Sequence, residues 1–137
     1  MNAKTSQTRV LIVDDEPVEV ALLARVLERE GYAVSRADRA DRGLQLAMDN
    51  KPDLIILDVM MPLINGFNFC QLIKNEEECR DIKIVMVTAR DELEDIEIGM
   101  QMGADAYLTK PINTQELLRT ISVVCSANLQ SDVKHDS

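Results

Sequence analysis

Five short apolar segments recur along this chain, and each is followed by a stretch with helical spacing. The segments are Val10-Leu11-Ile12-Val13, Val34 with its neighbours, Leu54-Ile55-Ile56-Leu57, Ile82 to Val87, and Ala106-Tyr107-Leu108. Their length and branched aliphatic content suit buried strands. Val20, Leu23, Ala24 and Leu27 share one helical face, with Gly31 as a stop. Leu44, Ala47 and Met48 mark a second helix ending before Lys51-Pro52, and Phe67 to Asn75 suits a third. Leu93, Ile96 and Met100 mark a fourth, stopped at Gly103. The fifth starts at Asn113, where Glu116 completes a capping-box-like pattern, and sets Leu117, Ile121, Val124 and Cys125 on one face. Strict alternation over five units predicts an α/β domain, a doubly wound (βα)5 parallel sheet with helices on both sides.

The strands differ in a way that orders them. The first and third are apolar at every position, as strands covered on both faces must be. The second, Ala33-Val34-Ser35-Arg36-Ala37, mixes polar and apolar residues, and the fifth is short. Those two suit edges. The 2-1-3-4-5 order of flavodoxin-like folds places them there, and right-handed crossovers leave little other freedom. A chain of 137 residues suits one such domain. The expected organisation is an extension at 1–8, the domain at 9–126, and a polar tail or start of a linker at 127–137.

Charge and cysteine usage narrow the function classes. With 24 acids against 15 bases the net charge is −9. That argues against direct nucleic-acid binding, which needs clustered Lys and Arg, and against docking on anionic membranes. No signal-peptide core or spanning segment occurs, so the expected location is cytoplasmic. Cys70, Cys79 and Cys125 are odd in number and lack metal-ligand spacing, which suits reduced thiols. The single histidine, His135, lies in the polar tail, away from any such spacing.

The informative polar residues fall at strand ends. Asp14 and Asp15 follow the first strand, Asp58 the third, Thr88 the fourth and Lys110 the fifth. Open parallel sheets bind ligands outside the carboxyl ends of their strands. Each residue alone has a bland reading: an Asp pair before a helix is usually a cap or turn, and a lysine before proline is usually a snorkelling surface group. Their coincidence is what counts. Three crowded carboxylates repel one another unless cations intervene. Lys110 supplies one positive charge, and a divalent cation makes the site neutral. Oxygen-only ligands suit Mg²⁺, with Mn²⁺ as a substitute. Such a site suits acceptance of a phosphoryl group. Asp58 is then the nucleophile, the metal and Lys110 hold the oxygens, and Thr88 donates a hydrogen bond.

The segments Val-Asp14-Asp15-Glu, Leu57-Asp58-Val-Met-Met61-Pro62-Leu-Ile-Asn-Gly66, Val87-Thr88-Ala89 and Tyr107-Leu-Thr-Lys110-Pro111 closely resemble the receiver domain of two-component response regulators. The resemblance covers roughly Arg9 to Ser126. That family is itself a known instance of the 2-1-3-4-5 order. The resemblance implies that Asp58 is the phosphoacceptor. It implies that Asp15, Asp58 and the main-chain carbonyl of Met60 bind Mg²⁺ directly, with Asp14 acting largely through water. Thr88 and Lys110 would contact phosphoryl oxygens. Lys110-Pro111 matches a pair that is often cis. Thr88 and Tyr107 would form a switch that alters the surface of the fourth helix, fifth strand and fifth helix. Met60 and Arg90 would tune hydrolysis, the bulky Met60 slowing it. The implied donor is a phosphohistidine on a sensor histidine kinase or histidine phosphotransfer protein. The implied output is a downstream effector or attached output domain, with a homodimer through the switch surface as an option. In the fourth helix, Leu93, Ile96 and Met100 are expected to face inward, and Ile98 and Met102 to project toward a partner or second protomer.

Two rivals stand beside this reading. One is the N-terminal receiver of a longer regulator with a further effector domain. The other is a haloacid-dehalogenase-like phosphohydrolase, which shares the aspartyl nucleophile, Thr and Lys. That enzyme needs a second Asp two residues after the nucleophile, where this chain has Met60. The expectation is therefore a phosphoacceptor switch rather than an enzyme, assisting only its own phosphorylation and dephosphorylation.

Overall fold

The computed structural model of the protein describes residues 7–59, 66–89 and 93–136. Ten elements alternate along it: β1 Arg9–Val13, α1 Pro17–Arg29, β2 Ala33–Ala37, α2 Ala40–Asn50, β3 Leu54–Asp58, α3 Gly66–Asn75, β4 Lys83–Thr88, α4 Leu93–Gln101, β5 Ala106–Thr109 and α5 Thr114–Asp136. The strands form one parallel sheet in the order β2-β1-β3-β4-β5. The two strands expected at the edges are the edges.

Side-chain alternation divides the core in two. On one face Leu11, Val13, Ile55, Leu57, Ile84 and Met86 pack against Ala40, Ala47, Phe69, Cys70 and Ile73 of α2 and α3. On the other, Val10, Ile12, Leu54, Ile56, Val85 and Val87 pack against Val20, Leu23, Ala24 and Leu27 of α1 and Leu117, Ile121 and Val124 of α5. Both faces of β1 and β3 are covered, which is why 10–13 and 54–57 are apolar at every position. Among the described residues, no helix is long and apolar enough to cross a membrane.

Helix ends follow local chemistry. Asn113 Oδ1 accepts from the Glu116 amide at 2.9 Å, which caps α5 as its sequence suggests. Gly31 and Gly103 take φ of 95° and 109° where α1 and α4 stop, a conformation that disfavours a side chain. α2 ends instead on Lys51 at φ 47°.

Two features add to the sequence reading, and one expectation is corrected. Helical backbone continues to Asp136, beyond the loss of apolar periodicity near Ser126, because no Gly or Pro interrupts 114–136. Met48 is 41% exposed, and Gly43 takes the inward place beside Ala47. In α4, Met100 is 45% exposed, and just after the helix Met102 packs on the core; these two differ from the predicted facing, while Ile96 is half-buried. The physical reason is Gly99, which is buried against the sheet. A residue without a side chain takes the closest approach and sets the rotation of the helix. Ile98 is half-buried, and the side chain of Leu93 lies outside the described residues.

Candidate functional site

The backbone ladder extends past the strand ends and fixes the polar residues there. The Asp14 amide donates to the Ala37 carbonyl at 3.1 Å, the Val59 amide to Val87 at 3.2 Å, and the Lys110 amide to Thr88 at 2.8 Å. Asp14, Asp58 and Thr88 are thereby held at the carboxyl edge, and all three are buried. Asp14 also keeps the turn role expected of an Asp before a helix. Its Oδ1 accepts from the Glu16 amide at 2.9 Å, and Pro17 then opens α1. Lys110 is joined to Pro111 by a cis peptide bond.

Asp14, Asp15 and Asp58 each offer a carboxylate oxygen, and the three oxygens lie within 4.8 Å of one another. Two of these residues are buried and Asp15 is exposed, so the cluster opens to solvent on the Asp15 side. The donors are all oxygen, which fits a hard divalent cation. Met60, whose carbonyl is the remaining expected ligand, lies outside the described residues, as does Arg90.

Lys110 is embedded rather than snorkelling. Its Nζ lies 3.4 Å from Asp58 Oδ2, 3.6 Å from Asp14 Oδ2 and 2.6 Å from Glu19 Oε1. Burial acts to lower its pKa, but the Glu19 hydrogen bond and the charges of Asp58, Asp14 and Glu19 outweigh it and the pKa is raised. Asp14 moves to about 7: burial is the main cause, hydrogen bonding to Glu19 the next, and Asp58 adds repulsion, against lowering by the Glu16 amide and Lys110. Glu19 is the residue that sequence reasoning missed. It sits in the first turn of α1, where an acid passes as a helix-dipole partner. Its presence changes the charge balance, since three carboxylates, Asp14, Asp58 and Glu19, surround the one Lys110 ammonium.

Tyr107 is half-buried against the core face that holds Met86. Register pairs Met86 with Tyr107 and Thr88 with Thr109. Alternation therefore sets Tyr107 and Thr88 diagonally on the same face of neighbouring strands. A cavity of about 380 Å³ adjoins the acids, lined by Asp14, Asp15, Arg36, Asp38 and Arg42 among others.

Comparison with known proteins converges on one family. Residues 10–122 match the family described as the response regulator receiver domain. The chain is 39% identical over 116 residues to Protein PilH of Pseudomonas aeruginosa, covering 85% of this chain and 96% of that protein. It is 41% identical over 113 residues to the DNA-binding dual master transcriptional regulator RpaA of Synechocystis sp., covering 82% of this chain and 47% of that protein. The chain thus spans nearly all of one relative and about half of the other. A CheY-like response regulator receiver domain protein of Methanospirillum hungatei superposes with a TM-score of 0.86 at 30% identity, over 92% of this chain and 99% of that one.

Proposed function

This chain belongs to the response regulator receiver family, and on that premise we propose that it accepts a phosphoryl group on Asp58 from a phosphohistidine donor. The observation that carries the reading is the convergence of Asp14, Asp15 and Asp58 oxygens with the Lys110 ammonium at one edge of the sheet.

A carboxylate oxygen of Asp58 attacks phosphorus as the donor's N–P bond breaks. The imidazole leaves and an aspartyl acyl phosphate forms. Asp15 and Asp58, with the Met60 carbonyl, would hold Mg²⁺ directly, and Asp14 would act largely through water. When bound, the ion would offset the crowded carboxylates and the charge on the transferring oxygens. Lys110 is already within 3.4 Å of the acceptor oxygen and needs only a short movement to meet a phosphoryl oxygen. Buried Thr88 supplies a hydroxyl at the end of the neighbouring strand. Met60 and Arg90 tune the lifetime of the acyl phosphate, and Met60→Asn is expected to shorten it.

The switch is read through Thr88 and Tyr107. Thr88 turning toward the phosphoryl group frees space on the face it shares with Tyr107. The ring then moves inward and alters the α4-β5-α5 surface. Ile98 contributes to that surface, which a downstream effector, an attached output domain or a second protomer reads. Packing of Met102 on the core leaves it a smaller part there.

Mg²⁺-dependent labelling by a small acyl-phosphate donor tests the reading. Label should appear in the wild-type chain and be lost in Asp58→Asn. Undiminished label in that variant overturns the assignment. Sustained turnover of a phosphomonoester would instead favour a phosphohydrolase.

A further inference from the structure

Lys110 is shared among three carboxylates, and its shortest described contact is to Glu19 rather than to Asp58. The Nζ to Oε1 separation is 2.6 Å, against 3.4 Å to Asp58 Oδ2. That Glu19 oxygen is closed to solvent, and the Lys110 ammonium is its counter-charge. A buried carboxylate oxygen stripped of its counter-charge is costly. Movement of Lys110 onto a new anion therefore obliges Glu19 to turn outward, and its side chain is 21% exposed, enough to reach water.

From this geometry we infer that Glu19 is a positioning residue that holds Lys110 in reserve by competing with the phosphoryl group for its ammonium. The inference rests on the phosphoacceptor reading and deepens it, since it names what regulates the site's affinity for the incoming group. Glu19 does not touch the reacting atoms; it acts through Lys110. In the resting chain the ammonium leans toward α1. With Asp58 phosphorylated, Lys110 exchanges a carboxylate partner on α1 for phosphoryl oxygens on β3, and α1 loses its tie to the β5 end.

The test uses the full chain and the isosteric Glu19→Gln variant, with beryllium fluoride at saturating Mg²⁺ as the phosphoryl stand-in. Loss of a partly buried ion pair predicts a gain of about fivefold in fluoroberyllate affinity. In a Lys110→Ala background the same substitution should give no gain. Unchanged affinity in Glu19→Gln overturns the inference, as does an equal gain without Lys110, which would mean that Glu19 acts on the acids or metal directly. A second readout needs no metal. The ¹⁵N ammonium resonance of Lys110 should shift and exchange faster in Glu19→Gln, and an unmoved resonance again overturns the inference. Absence of fluoroberyllate binding to the wild-type chain overturns the phosphoacceptor reading itself, whereas binding without any Glu19 effect overturns this inference alone.

Discussion

Gly99 lies so close to Tyr107 that a Cβ added to the glycine would stand 3.1 Å from the ring's Cδ2 and 3.2 Å from its Cε2. The same Cβ would be 3.0 Å from Met86 Sδ. The tyrosine ring and α4 therefore share one small space. Any displacement of the ring is felt by the helix, and the reverse.

Substitution at Gly99 should separate helix propensity from packing. Ala adds one methyl, and its gain of about 1 kcal/mol in propensity offsets the squeeze. Val should cost about 1–3 kcal/mol by overpacking. Urea unfolding reads the stability, and the Tyr107 ring resonances should move in Gly99→Val. A Val variant as stable as the wild type, with unmoved ring resonances, would show that the space is not shared.

Asp14 predicts a pH dependence in the metal-free chain. Its folded pKa of about 7 exceeds the ordinary 3.8, so between those values the folded state keeps a proton that the unfolded state has lost. Stability contributed by this group is present at low pH and is lost as pH rises through that window. Asp14→Asn should therefore stabilise the metal-free chain at pH 8 by more than about 1 kcal/mol, and much less at pH 4. Urea titrations in a chelator at the two pH values check this. Added Mg²⁺ should stabilise the wild type more than the variant, because folded-state ligands stabilise by mass action. A gap between wild type and variant that does not grow with pH would refute the expectation.

Asp105 fixes the start of β5. Its Oδ2 accepts from the Ile84 amide at 2.8 Å and lies 3.4 Å from Lys74 Nζ, while Lys74 also donates to the Ile82 carbonyl at 2.7 Å. The acid thus ties the end of α3 to β4 and to the strand carrying Tyr107. Asp105→Ala should destabilise by about 1–3 kcal/mol, since it leaves the part-buried Ile84 amide without its acceptor and Lys74 without its counter-charge. Asp105→Asn retains an acceptor oxygen and should recover part of the loss. Equal midpoints for Ala and Asn would show that the amide bond contributes nothing.

The contrast between α1 and α4 explains what could be read from the chain. In α1 the inward line Val20, Leu23, Ala24 and Leu27 is apolar, so hydropathy finds it. In α4 Gly99 is buried against the sheet and carries no hydropathic signal, and the apolar period beside it misplaced Met100 and Met102. Glu19 escaped for a similar reason. An acid in the first turn of a helix is ordinary, and only the folding of the sheet, with β5 three strands away from β1, brings Lys110 to it.

By itself the sequence determined the class of fold, the strand order and the meeting of Asp14, Asp15, Asp58 and Lys110 at one edge of the sheet. Strand burial, helical period and strand-end chemistry are all local patterns, and their alternation leaves little freedom in a parallel sheet. Tertiary structure alone decided how Lys110 divides its charge among Asp58, Asp14 and Glu19, and which side of α4 meets Tyr107. Those outcomes depend on distances of a few ångströms between residues far apart in the chain, set by how helices seat on the sheet.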